Sequence, residues 1–167
     1  MKKHDPNQRR SEPDQANTAM FRWLVECAGQ GIGWADLDGN IVYMNPALRQ
    51  MLDLAPETEA SGLHLSRFRP PEAGPAADEM LRTTLEQGSW SGEINLLSEQ
   101  GRVIPTRHDI HLIRDDAGAP IAFGCAITDL SQQKQLEQFL VRSRAKYRAL
   151  VENIPQRVFY KDRQSIS

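Results

Sequence analysis

Histidine, cysteine and adjacent carboxylates are the side chains in this sequence with chemistry to offer, and their spacing limits what they can do. His108 follows Thr106 by two positions and precedes Asp109. Alternate residues of an extended chain share a face, so Thr106, His108, Ile110 and Leu112 lie together while Arg107, Asp109 and His111 lie opposite. A hydroxyl and an imidazole on an otherwise apolar face can orient a small molecule. A neighbouring carbonyl can equally satisfy such an imidazole, and both uses of His108 stay open. His108 and Asp109 point apart and cannot share a proton as an acid–base pair, and Asp115 and Asp116 diverge on a turn. Cys27 and Cys125 are the two cysteines, far apart and without CxxC or Cys/His spacing, which argues against a disulfide framework and a structural zinc site. A reducing, cytoplasmic setting is expected. No GxSxG, Walker loop or HExxH occurs, and the final helix offers no phosphoacceptor histidine. The expected function is therefore non-catalytic, with any catalytic output domain outside this chain.

Composition excludes further classes. With 167 residues there is room for one ordinary domain and a fragment. Lys plus Arg number 20 against 22 Asp plus Glu, a net charge of -2 that implies no polyphosphate partner. Arg67-Phe-Arg69 and Arg142-Ser-Arg144 are too small to form a nucleic-acid stripe. The first 17 residues lack an apolar run, and no stretch approaches the ~20 apolar residues that span a bilayer, so no direct membrane insertion is expected.

The elements that must position His108 and its neighbours follow from periodicity. Residues 1–15, polar with two prolines, are expected to form a disordered lead. Residues 16–28 place Met20, Trp23, Leu24 and Cys27 at helical spacing, with Trp23 expected to pack that helix on the outer face of a sheet. Apolar runs at 31–36 and 40–45 flank Leu37-Asp38-Gly39-Asn40, a tight hairpin. Asn45-Pro46 then predicts an N-cap and first helical residue for a helix over 47–54, with Leu48, Met51 and Leu52 inward. After a broken stretch at 56–75, residues 76–87 predict a helix with Met80, Leu81, Thr84 and Leu85 on one face. Strands are predicted at 90–97, 102–114 and 120–128. The sum is an α+β domain with a five-stranded antiparallel sheet and helices on one face.

Two features lie beyond that domain. Sliding the sequence against itself lays the segment from Phe21 to Asp36 over that from Tyr147 to Asp162, with Arg, Leu, Val, Glu, Gln and Asp in register. Leu136, Leu140, Ser143, Tyr147, Leu150 and Ile154 follow a 4-3-4-3-4 spacing, a heptad seam that predicts a dimeric helix, although Ser143 weakens it and packing on its own domain is the alternative.

The order of elements, with the segment from Asp36 to Pro46 (Asp-Leu-Asp-Gly-Asn-Ile-Val-Tyr-Met-Asn-Pro) on the first hairpin, Trp90-Ser-Gly-Glu93 on the third strand and Asp129-Leu-Ser131 closing the fifth, resembles the PAS (Per-Arnt-Sim) domain family. The resemblance covers about 21–131, and Tyr147 onward resembles the opening of a second such domain. It implies 1–15 as lead, 16–130 as PAS domain, 131–153 as signalling coiled-coil linker helix and 154–167 as the truncated start of a second domain. It further implies a homodimeric sensor from a bacterial signalling protein, of the histidine kinase (two-component) or cyclic-di-GMP enzyme type. Such a module relays the state of a bound small molecule to an output domain in cis. A dimerisation scaffold that binds no ligand is an alternative.

The resemblance also implies a pocket between the sheet and the middle helices, proposing Thr106, His108, Ile110, Cys125, Ile127, Leu96, Met51 and Met80 as ligand-binding residues and Leu136, Leu140, Tyr147 and Leu150 as the dimer seam. Haem-binding relatives need an axial histidine in the helix before the third strand, and residues 76–87 contain none; His64 lies in the preceding loop. Photoactive flavin relatives need a cysteine in the middle helices, where this sequence has none, and where light-sensing relatives hold an amide it has Leu96. A redox flavin stays open, and the ligand itself is not specified.

Overall fold

The computed structural model describes residues 12–152, with α1 (Glu12–Glu26), β1 (Gly31–Asp36), β2 (Ile41–Met44) and α2 (Pro46–Met51) in order. Two 3-10 turns, Leu65–Phe68 and Pro71–Ala73, lead into α3 (Gly74–Gln87). Then come β3 (Ser89–Leu97), β4 (Val103–Arg114), β5 (Pro120–Asp129) and α4 (Ser131–Glu152). The five strands form one antiparallel sheet in the order β2-β1-β5-β4-β3. The chain divides after Ser131 into two compact units, the first holding the sheet and the second α4.

The first hairpin closes as its Asp-Gly predicts. Asp36 Oδ1 accepts from the amides of Asp38 (3.0 Å) and Asn40 (2.8 Å), and Asn40 Nδ2 donates to Oδ2 (2.8 Å). Gly39 sits at φ +89°, and a Cβ there would lie 2.8 Å from His64 Nε2, so conformation and space both require glycine. His64 packs against the turn because its Nε2–H donates to the Asp38 carbonyl at 2.9 Å, while Nδ1 accepts from the Ser66 amide at 3.1 Å.

Asn45 is the N-cap of α2, accepting from Leu48 N at 2.9 Å, with Pro46 at the first helical position. It does more than the sequence shows. Its Oδ1 also accepts from Ile32 N (2.9 Å), and its Nδ2 donates to the carbonyls of Val25 (3.0 Å) and Gln30 (2.9 Å). One fully buried side chain thus joins α1, β1 and α2. α2 seats directly on β1 because Gly33 leaves room: a Cβ there would lie 2.9 Å from the Tyr43 carbonyl oxygen and 3.0 Å from Leu48 Cδ2.

The core has two halves. Ile41, Met44, Leu48, Leu52, Phe68 and Ile127 form one, and Ala73, Ala77, Met80, Ile94, Ile110 and Phe123 the other; Cys125 touches both. Burial alternates along β4 as the pattern predicts, with Ile104, Thr106, His108 and Ile110 enclosed.

Several expectations need correction. α1 starts at Glu12, inside the segment 1–15 expected to be disordered, because Pro13 falls in a first turn where its missing N–H costs no bond. Trp23 does not pack on the sheet and is 65% exposed, with Met20, Phe21 and Leu24 also exposed. α1 is instead held at its C-terminal end, through Val25 O to Asn45 and through the Tyr43 hydroxyl donating to Glu26 Oε1 at 2.7 Å. The outer sheet face there carries its own stack, Trp34 on Tyr43 with centroids 4.3 Å apart. In α3 the buried stripe runs through Ala77, Met80 and Thr84, leaving Leu85 exposed; the Thr84 hydroxyl is satisfied by the Met80 carbonyl at 2.8 Å. α2 stops at Met51, short of Leu54, and Asp53 turns the chain at φ +56°.

In the second unit, Leu136, Leu140, Tyr147 and Leu150 lie on α4 and are exposed. The predicted opening of a second domain at 154–167 lies outside the described residues. No helix among the described residues is long and apolar enough to cross a membrane.

Candidate functional site

The sheet's register decides what faces the interior. Gly33 pairs with Cys125, His108 with Ile127, and Ile94 with Thr106. The same faces of β3, β4 and β5 therefore carry Leu96, His108, Ile110, Cys125 and Ile127 toward α2 and α3. Between them lies a cavity of about 100 Å³ along the seam of the two core halves. Its walls are almost wholly hydrocarbon.

Six of the eight proposed ligand-binding residues border this cavity: Leu96, His108, Ile110, Cys125, Ile127 and Met80. Thr106 and Met51 do not. Thr106 lies behind His108, and Met51 packs against the Ile41 half of the core from outside the cavity. Sequence reasoning missed Ile41, Met44, Phe68 and Ala77, which complete the walls. Phe68 gave no periodic signal because it sits in a single 3-10 turn within a proline-broken stretch. Its flanking arginines are engaged in ion pairs, Arg67 with Glu99 at 2.5 Å and Arg69 with Asp78 at 2.8 Å.

Polar groups at the cavity are few, and their protons can be placed. The Thr106 hydroxyl lies 2.5 Å from the Ile94 carbonyl and 2.8 Å from His108 Nε2. A hydroxyl has one proton and a carbonyl can only accept, so Thr106 donates to Ile94 and accepts from Nε2–H. Burial pushes the His108 imidazole down to about 4, against the opposing pull of the Ile94 carbonyl and Asp109. The ring is therefore neutral at pH 7, protonated on Nε2. The Cys125 thiol donates to the Gly33 carbonyl at 3.4 Å and is pushed up to about 11 by burial, only partly offset by that bond. It is a thiol, not a thiolate, and a poor nucleophile. Among the described residues no group of three or more His, Cys, Asp or Glu is arranged to hold a metal ion.

A family model described as PAS fold matches residues 25–135, two thirds of the chain. No curated protein matches. Solved structures do. The PAS domain of a Colwellia psychrerythraea protein aligns with TM-score 0.64 at 18% identity, covering 70% of this chain and 98% of that one. A PAS domain from a two-component sensor histidine kinase aligns with TM-score 0.59 at 11% identity, over 70% and 98%. An RNA-binding light-oxygen-voltage receptor aligns with TM-score 0.66 at 18% identity, over 87% of this chain and 42% of that one. At these identities the structures speak to fold: a five-stranded antiparallel sheet with helices over its inner face. Together with the family match over 25–135, this places the chain in the PAS family of sensory domains.

Proposed function

We propose that this chain is the non-catalytic sensor module of a bacterial multidomain signalling protein. It binds a small molecule in the cavity between the sheet and α2/α3 and relays its occupancy through α4 in a homodimer. The observation that carries the reading is an apolar cavity along the seam of two core halves. A guest there contacts both halves at once, so it can favour one packing of α2 and α3 over another, by no more than its differential affinity. β5 runs directly into α4, whose first amide is held by the Asp129 carboxylate at 2.7 Å, so the exit from the sheet is capped. Exposed Leu136, Leu140, Tyr147 and Leu150 at heptad spacing support a second copy as the partner of α4. The output domain, a histidine kinase or cyclic-di-GMP enzyme, lies in cis beyond this chain, and the module works in the cytoplasm without contacting nucleic acid.

A bound flavin is the less favoured cofactor. About 100 Å³ falls below the ~300–1,000 Å³ of sites that bury drug-sized ligands. Native mass spectrometry of the purified chain tests the proposal: a retained or added small molecule on a dimer is expected, and a monomer that takes up nothing overturns it. Leu140→Asp with Leu150→Asp should convert dimer to monomer; an unchanged dimer removes α4 from the relay.

A further inference from the structure

His108 offers one more deduction, about what kind of molecule the cavity accepts. Its Nε2–H is committed to Thr106, which is in turn committed to Ile94. The ring also hydrogen-bonds the Ile94 backbone carbonyl, and no side-chain hydrogen bond reaches Nδ1 from any described residue. Every fully enclosed side-chain nitrogen or oxygen among the described residues does have a partner, so Nδ1 is not sealed in protein. The residue is 5% exposed and borders the cavity, so the space that Nδ1 reaches is the cavity. An imidazole nitrogen without a proton is an acceptor only. Thr106 keeps it so: moving the proton to Nδ1 would turn the Thr106 hydroxyl toward Nε2 and break its bond to Ile94.

Three of the other polar groups at the cavity are occupied, while Asn95, which also lines it, is exposed. The Cys125 thiol points to the Gly33 carbonyl, the Tyr43 hydroxyl donates to Glu26, and Arg69 is paired with Asp78. An anionic guest would meet no unpaired cation, and a cationic one no carboxylate, at a cost that an apolar cavity cannot offset. The volume of about 100 Å³ is on the order of a cavity that admits benzene, roughly 150 Å³.

We infer that the cavity selects an uncharged guest of about benzene size, hydrocarbon in body and carrying one O–H or N–H that donates to His108 Nδ1. The inference rests on the sensor reading above and names the chemistry of its ligand. It makes His108 the specificity-determining residue and Thr106 the positioning residue that fixes its tautomer.

Phenol, toluene and benzoate share a ring and differ in the group that would meet Nδ1. In a dry cavity without an acceptor, toluene wins over phenol, because the hydroxyl loses its water and gains nothing. With Nδ1 as acceptor, phenol should bind the full-length chain at least as tightly as toluene in calorimetric titration, and benzoate should not bind. His108→Leu should shift the phenol-to-toluene affinity ratio toward toluene by about tenfold or more, the worth of one satisfied against one unsatisfied hydrogen bond. A second readout needs no variant: phenol, but not toluene, should move the ¹⁵N resonance of His108 Nδ1. Toluene preferred in the unmodified chain, with Nδ1 unmoved by phenol, overturns the donor requirement and leaves the cavity as a binding site. No binding of either ring overturns the inference together with the ligand-binding reading.

Discussion

Replacing Asn45 tests whether the first unit is held together as its hydrogen bonds suggest. The side chain has no exposed surface and makes four hydrogen bonds of 2.9–3.0 Å, two accepted and two donated. In Asn45→Ala the amides of Ile32 and Leu48 lose their acceptor. The orphaned Leu48 amide is buried and the Ile32 amide part-buried, each costing ~1–2 kcal/mol, while the carbonyls of Val25 and Gln30, on partly or fully exposed residues, recover water at little cost. The expected loss is about 2–4 kcal/mol, a large share of the ~5–15 kcal/mol that keeps a domain folded. Asn45→Asp keeps both acceptor contacts but turns an oxygen toward the two carbonyls. A carboxyl so placed resists ionisation, so its folded pKa lies above the unfolded value. Its penalty, full at pH 7, should shrink by on the order of 1–2 kcal/mol, relative to the unmodified chain, as pH falls through that raised folded value toward the ~3.9 of an unfolded aspartate. Urea unfolding of both variants followed by circular dichroism at pH 7 and pH 4, with m-values compared, reads these differences. A loss below about 1 kcal/mol for the alanine variant, or an aspartate variant whose penalty ignores pH, would refute the four-bond reading.

Three other expectations follow from the same geometry. Because the His108 imidazole is held near 4 against an ordinary 6.5, the unfolded chain takes up a proton first on acidification. Stability should therefore fall by about 3 kcal/mol between pH 6.5 and pH 4, and His108→Gln should flatten that window in pH-dependent melting; an equal slope in the variant contradicts it. Gly39→Ala meets both a positive φ and His64 Nε2, so a loss of ~1–3 kcal/mol is expected by thermal melting, and a neutral result would mean that the turn rearranges freely. Cys27 is exposed and Cys125 half-buried with its thiol pushed up to about 11, so a thiol reagent should modify Cys27 promptly and Cys125 far more slowly. Comparable rates would contradict the burial of Cys125.

What was legible in the sequence is what periodicity and turn chemistry encode. Asp38-Gly39 marked the hairpin, Asn45-Pro46 the start of α2, and strict alternation in β4 put His108 and Ile110 inside. These signals are local, each needing only a few neighbouring residues. What was hidden depends on contacts between distant segments. Phe68 is 3% exposed because a 3-10 turn swings it under the sheet, and its own flanks read as polar. The inner face of α3 is narrower than its pattern implied: Thr84 is buried there as predicted, its hydroxyl bonding back to Met80, while Leu85 at the edge of the stripe is exposed. Asn45 was readable as a cap but not as the joint between α1 and β1, because two of its four partners precede it by fifteen and twenty positions. The apolar side of α1 pointed to packing that its attachment at one end does not provide.

The cavity between the sheet and the helices carries a mechanical consequence of its own. At ~24 cal/mol per Å³, a guest that fills about 100 Å³ of hydrocarbon-walled space adds about 2 kcal/mol of cohesion. Unfolding eliminates such a hollow and so shrinks the system, which makes hydrostatic compression an agent against the fold. A guest that plugs the hollow removes that volume change as well as supplying that cohesion. High-pressure spectroscopy would thus register occupancy as a barometric reading, whatever the guest's optical properties.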